Sequence, residues 1–297
     1  MLDSTVLAAS ARPLADLRSG RRITQRQLEA GIHECGGRPA RERLRSLFDA
    51  GSAVAVVVRS YLSLEESRTI THNFVQAHRH DRQDGVDATE VGGGAYNSKT
   101  PRDQFLAYQQ SGGDVARLFE GTRDLDQEVQ FELQQAARRH QRVRPLAFDG
   151  LSASRFRAAA WQGRSPGWLL RPHDDFAQMR TAALASTEFA WLAEPIAINI
   201  YPSIGLRGGQ LRIYGWMPSP GTRQALGLGD TGYPYPDEIL DGVSYVDIQP
   251  EPGTAIFVRG AFVHGVRAGE AEKDAPRLVI NGFAAQTIDG AEILRWC

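Results

Sequence analysis

The sequence predicts a mainly β protein with flanking helices: a double-stranded β-helix (a cupin-like jelly roll) buttressed by N-terminal helices. Three observations predict it. Short runs rich in β-branched and aromatic residues crowd the second half, among them "PIAINIY", "GQLRIYGW", "VSYVDIQP", "TAIFVRGAFVH" and "RLVINGFAA". Gly and Pro turns such as "PSIGLRGG", "MPSPG" and "PEPG" separate them at fairly regular spacing, the pattern of a sandwich or jelly roll. Helical periodicity is confined to the first half. With no internal repeat and no low-complexity linker, residues 1–297 read as one domain, 1–150 mostly helical and 151–297 the jelly-roll core.

Along the chain, "RPLADLRSG" and "ARERLRSLFDAG" are predicted helices, and the apolar run "SAVAVVV" at 52–58 a buried strand. Ser63 followed by Glu66 has the capping-box spacing, and Ile70, Phe74 and Ala77 then recur at helical intervals. Residues 81–103, rich in Gly, Asp and Thr, read as a long loop. A second helical block covers about 103–139, where Leu125, Val129, Leu133 and Ala136 form one stripe to be packed against a sheet.

Bulk composition narrows the function classes. A chain of 297 residues, 42% apolar and 23% charged, has the makings of a soluble globular protein with a sizeable core. A net charge of −1 offers no basic footprint for nucleic acid and no basic face for an anionic membrane. No run approaches the roughly 18 apolar residues of a bilayer span. The opening "MLDSTVLAASARPLADLRSGRR" lacks the charged start and long apolar stretch of a signal peptide. Cys35 and Cys297, without a CxxC pattern, are expected to be reduced thiols in a cytoplasmic protein.

The candidate chemistry centres on "RPHDDFAQM", residues 171–179. In an extended chain residues i and i+2 share a face, so His173 would face with Asp175 and away from Asp174. Of the seven histidines, His33, His72, His78, His80, His140, His173 and His264, only His264 shares the strand-rich half with His173. It ends the run "GTAIFVRGAFVH", at the mouth end of a predicted strand. Two His and one carboxylate on neighbouring strands make the facial triad of non-haem Fe(II) oxygenases, which leaves three coordination positions open. Arg277 opens the following strand "RLVINGF", and a guanidinium gripping a carboxylate as a fork is what a dicarboxylate cosubstrate would require.

Taken in order, "HDD…AINIYPSIGLRGGQLRIY…VDIQPEPGTAIFVRGAFVHGV…PRLVINGFAA" resembles the catalytic core of the iron(II)/2-oxoglutarate-dependent oxygenases, in their prolyl-hydroxylase-like branch. The likeness covers about residues 170–285. It implies iron held by His173, Asp175 and His264, 2-oxoglutarate and O₂ as cosubstrates, and the distal carboxylate of 2-oxoglutarate on Arg277. The helical first half resembles, more loosely, that of small-molecule hydroxylases and halogenases. One departure stands out: the usual Ser or Thr two residues after the Arg is Val279. Asn199 and Tyr201, on one strand face, are the candidates to supply polar contacts to the cosubstrate instead. The resemblance implies hydroxylation of a C–H bond of a small molecule (an amino acid, nucleoside or secondary metabolite), with succinate and CO₂ as coproducts. Asp175 stands where halogenases of the superfamily carry Gly or Ala, which disfavours halogenation. Two further functions suit the same residues: a protein side-chain hydroxylase, and a non-catalytic jelly-roll binding protein or metal sensor.

Rival constellations are weaker. His78, His80 and Asp81 fall at a predicted helix end, where cations are favourable without any metal. "GGGAYNSKT" fails as a phosphate loop because no Gly precedes Lys99; a lid or substrate loop using Tyr96 and Asn97 suits it better. Arg267, three residues past His264, ranks behind Arg277. Trp161 and Trp168 either line a substrate pocket or pack the barrel.

Overall fold

Strict alternation along the strands sorts their side chains into two separate cores. On Ile196–Ile204, residues Ile196, Ile198 and Ile200 join one apolar cluster, while Ala197 and Tyr201 join another. Arg277–Gln286 splits the same way, with Leu278, Ile280 and Ala284 on one side and Val279, Phe283 and Ala285 on the other. Such strands are buried on both faces, which explains why they read as nearly continuous apolar runs.

The computed structural model describes residues 17–49, 51, 53–81, 88–92, 100–161, 167–205, 207–270 and 276–297. Its larger sheet runs, in spatial order, through Ile32–Gly36, Ala55–Arg59, Thr254–Arg259, Ile196–Ile204, Arg277–Gln286, Arg157–Trp161, Ala88–Val91 and His80–Asp81, with Glu292–Trp296 also paired to Arg277–Gln286 and Arg142–Pro145 paired in turn to Glu292–Trp296. A smaller antiparallel sheet orders Trp168–His173, His264–Arg267, Leu211–Tyr214 and Tyr245–Ile248. The two sheets enclose the inner core, in which Val279, Ile256 and Ala197 meet Leu169, Leu211, Ile213 and Val266. This is the jelly roll that the sequence predicts.

The outer face of the large sheet is covered by helices. Arg41–Phe48 contributes Leu44 and Leu47, Leu64–Gln76 contributes Ile70 and Phe74, and Leu125–Ala136 contributes Leu125, Val129 and Leu133. The Ser63–Glu66 capping box is formed in full, each side chain meeting the other residue's backbone N–H.

Three expectations need correction. Residues 81–103 are not one long loop: Ala88–Val91 pairs with Arg157–Trp161 inside the large sheet, and a helix starts at Pro101. Ladder hydrogen bonds and a buried alternation outweigh the loop-like composition around that four-residue strand. The 103–139 block is two helices, Pro101–Leu118 and Leu125–Ala136, the second started afresh by the Asp124 side chain accepting from two backbone N–H groups. His264 does not end a strand: Thr254–Arg259 stops short, the chain turns through Gly260, and His264 opens the next strand in the other sheet. The first 150 residues also supply strands to the large sheet besides their helices. "RPLADLRSG" up to residue 16, and Tyr96 and Asn97, lie outside the described residues. Among those described, no helix is long and apolar enough to cross a membrane.

Candidate metal centre

His173 is the last residue of its strand and His264 the first of the neighbouring one, and the two are direct antiparallel partners. Their rings lie 4.3 Å apart between centroids, inclined at 50°. Each Nδ1 is 2.9 Å from a backbone carbonyl two residues upstream, that of Arg171 for His173 and that of Phe262 for His264. A carbonyl oxygen can only accept, so Nδ1 carries the proton and Nε2 presents its lone pair, the form of imidazole that ligates metals.

Asp175 closes the cluster. Its Oδ1 lies 3.7 Å from Nε2 of His173 and its Oδ2 lies 3.4 Å from Nε2 of His264. One ligand atom from each of the three falls within 4.8 Å of the others, and this is the one such group found among the described residues. Asp175 is held by its backbone N–H, which donates to the Gly260 carbonyl at 2.7 Å. Gly260 is required there by space: a Cβ would stand 2.5 Å from Oδ2. The Asp175 carboxylate is buried, and Oδ2 accepts no hydrogen bond. Burial raises its carboxyl to about 6. An orphaned buried carboxylate oxygen facing two imidazole lone pairs is the donor set a divalent ion satisfies, so these residues fit iron.

Asp174 does something else. It is wholly buried and points away from the cluster, accepting from Arg223 Nε at 3.0 Å, from the Tyr235 hydroxyl at 2.7 Å, and from the backbone N–H groups of Phe176 and Ala177. It fixes the turn after the ligand strand.

At the other end of the barrel, Arg277 is buried among aromatic rings. Its Nη2 donates to the Gly209 carbonyl at 2.9 Å, while Nε and Nη1 are buried without a partner. Gly209, at φ +71°, clears the way, since a Cβ there would come within 2.6 Å of Nε. The guanidinium carbon lies 5.2 Å from the Tyr201 ring centre and 5.4 Å from that of Trp161. Burial pushes the Tyr201 phenol up, with Arg277 opposing. Trp161 Nε1 is a third buried donor without a partner. Buried guanidinium N–H groups without a partner are costly unless an anion takes them, so this end fits a carboxylate. Val279 lines the inner core in the place of the expected hydroxyl.

The remaining sequence candidates separate cleanly. Asn199 accepts at Oδ1 from Asn281 Nδ2 at 2.8 Å, which makes it part of a cross-strand pair inside the barrel. Arg267 stacks on Trp168, 4.6 Å from its ring, and Trp168 packs in a third cluster away from Arg277. His78 and His80 are exposed. Glu90, Arg157 and Asn281 are polar residues of the barrel interior that sequence reasoning does not single out. Their signal is a lone polar residue in phase with core positions, in "ATEV", "RAAAW" and "LVINGF". A cavity of about 450 Å³ lined by Tyr108, Val115, Phe119, Arg155 and Phe156 lies on the helical side and includes no residue of the cluster.

Two imidazoles and one carboxylate converging inside a jelly roll make the two-His, one-carboxylate facial arrangement that suits a non-haem Fe(II) centre. Sequence comparison gives a partial relative: over 127 residues the chain is 30% identical to an L-isoleucine 3(1)-dioxygenase of Pantoea ananatis. The match spans 43% of this chain and 42% of that protein, so less than half of the relative's length. No protein-family model matches. Among solved structures, the α-ketoglutarate-dependent epimerase SnoN from nogalamycin biosynthesis aligns over 82% of this chain and 84% of its own, with 16% identity and a TM-score of 0.45. An N-substituted L-amino acid dioxygenase from Burkholderia ambifaria aligns over 77% and 91%, with 11% identity and a TM-score of 0.40.

Proposed function

We propose that this protein is an Fe(II)/2-oxoglutarate-dependent dioxygenase that hydroxylates a C–H bond of a small molecule. The observation that carries the reading is the pairing of two unsatisfied sites in one barrel: an orphaned carboxylate oxygen between two imidazole lone pairs, and an arginine with two uncommitted N–H groups. His173, Asp175 and His264 would hold the iron. Arg277 would grip the distal carboxylate of 2-oxoglutarate, with Trp161 and Tyr201 beside it.

When bound, the ion and cosubstrate supply the oxidising chemistry, in which O₂ and 2-oxoglutarate yield succinate, CO₂ and a hydroxylated product. The chain's own contribution is positional. The two carbonyl-anchored imidazoles keep their Nε2 lone pairs aimed at one point. Gly260 lets the Asp175 carboxylate approach them. Arg277 fixes the far end of the cosubstrate, and the surrounding inner core keeps bulk water from the reacting atoms. Asn199, tied to Asn281, lies on the barrel wall between the two ends, where with Tyr201 it would offer the cosubstrate a polar contact. Asp175 occupies the coordination position that halide would need, so hydroxylation is favoured over halogenation.

The reading takes the 297 residues as one working unit, in keeping with a large sheet built from both halves. The amino-acid relative favours a small-molecule substrate. The cytoplasmic setting belongs to the same reading, on the sparse cysteine content alone.

Anaerobic titration with Fe(II) and 2-oxoglutarate, followed optically, tests the proposal. A weak visible charge-transfer band is expected in the wild type and its loss in His173→Ala. A wild-type protein that binds Fe(II) yet gives no band with 2-oxoglutarate would point to a metal-binding jelly roll without this activity.

A further inference from the structure

Inside the barrel, a second charged group stands apart from the iron ligands and from Arg277. Arg157 Nη1 lies 3.5 Å from Glu90 Oε1, and their side chains are 7% and 1% exposed. Both residues face inward: Glu90 shares its strand face with Ala88, and Arg157 shares its face with Ala159 and Trp161, all three neighbours being members of the inner core.

The ladder registers fix where along the barrel the pair lies. Arg157 is opposite Asn281. Three residues further along, Ala284 is opposite Ile196, which in turn faces Arg259, the residue before Gly260 and its contact with Asp175. The other end of the Arg157 strand is Trp161, beside Arg277. The ion pair therefore faces the interior between the Gly260 end and the Arg277 end. In the same row, Asn281 donates to Asn199 and keeps its own Oδ1 buried without a donor. Glu90 lies directly across from Ala159, and small alanines line the strand next to the charges.

A buried ion pair is a poor way to join two strands, because well-packed apolar residues of similar volume usually serve stability as well or better. Its place in the interior between the ligand cluster and Arg277 calls for a use. We propose that Glu90 and Arg157 recognise the charged end of an α-amino acid substrate, Arg157 taking the carboxylate and Glu90, with Asn281 Oδ1, taking the ammonium. The proposal rests on the oxygenase reading and names the substrate class of that same site. Charge balance supports it: a neutral pair meets a neutral zwitterion, so one internal ion pair is exchanged for two without adding net charge to the barrel. An ester or an N-acylated amino acid would offer the pair only one of its two charges, which selects against it.

The test uses the anaerobic Fe(II)/2-oxoglutarate complex and its visible band. Each of the standard L-amino acids is added, followed by the methyl ester and the N-acetyl form of any that perturb the band. At least one free amino acid is expected to perturb it, with both blocked forms needing at least roughly tenfold higher concentration. In the charge-neutral double variant Glu90→Gln/Arg157→Gln, the amino-acid midpoint should rise roughly tenfold or more. The 2-oxoglutarate midpoint should change less than about twofold. A band that forms but answers to no free amino acid, or answers equally to the blocked forms, overturns the inference and leaves the oxygenase reading intact. A double variant that loses 2-oxoglutarate instead assigns the pair to the cosubstrate and overturns it too. Absence of any band in the wild type removes the oxygenase reading and this inference together.

Discussion

Gly260 and Asp175 are packed so closely that a methyl group on the glycine would stand 2.5 Å from the carboxylate's Oδ2. The same glycine accepts the Asp175 backbone N–H through its carbonyl at 2.7 Å. Position 260 therefore places the acidic ligand from two directions. Gly260→Ala should keep the fold and weaken Fe(II) binding by about 10–100-fold, the usual cost of disturbing what orients a ligand. Metal titration of the purified variant reads this directly, and wild-type affinity would show that the carboxylate has slack the packing does not suggest.

The two adjacent aspartates should respond oppositely. Asp174→Ala strips four hydrogen bonds from a fully buried acceptor and leaves Arg223 without its carboxylate. A loss of about 3–5 kcal/mol in unfolding free energy is expected. Asp175→Ala removes an orphaned oxygen, so it should unfold at or above the wild-type urea midpoint while losing Fe(II) binding. Equal destabilisation of both variants would contradict this division of labour.

Turnover should depend on both imidazoles. O₂- and Fe(II)-dependent formation of succinate from 2-oxoglutarate is expected to vanish in His173→Ala and in His264→Ala. Succinate release at the wild-type rate in either variant would rule out the triad.

At the far end, Arg277 and Trp161 should separate by degree. Arg277→Ala is expected to raise the 2-oxoglutarate requirement by roughly a hundredfold or more, as the loss of a buried charged partner implies. Trp161→Phe keeps the ring and deletes one donor, so about tenfold is expected, close to one hydrogen bond to a charged group. Calorimetric binding of 2-oxoglutarate to both variants measures the two effects without turnover. No change in Trp161→Phe would return the indole to simple packing.

How much of this can be read from the residues alone follows from what each feature is made of. The triad is readable because His and Asp two apart, with one more His in the strand-rich half, are rare residue types in a telling order, although Asp175 lies in the bend just past the strand that ends at His173. The strand that carries His264 is not, because the break at Gly260 lies inside a nearly unbroken apolar run, where no turn-forming cluster marks the switch between sheets. The Ala88–Val91 strand escapes detection since only four residues carry it, with Gly and Asp on both sides. Trp161 can be named but not assigned, because whether an indole N–H has a partner is a property of three dimensions.

Burial of Glu132 adds a dependence of stability on pH. The Tyr61 hydroxyl donates to it at 3.1 Å, and burial raises its carboxyl to about 7. Between its ordinary value and 7 the folded protein therefore holds a proton that the unfolded chain has released. Folding is favoured on the acid side of that window and weakened as pH rises through it, by on the order of 3 kcal/mol. Glu132→Gln should flatten the wild-type decline in urea midpoint between about pH 5 and pH 8. An identical decline in the variant would place the proton elsewhere.

The strand Ala55–Arg59 lies hydrogen-bonded along Thr254–Arg259, and Ala88–Val91 along Arg157–Trp161. Cutting the chain near residue 150 to isolate its ligand-bearing half would bare one flank of each of those inner strands. Exposed apolar edges of that kind recruit copies of themselves, so the shortened polypeptide should collect in inclusion bodies, and any effort at miniaturisation has to keep both halves of the large sheet together.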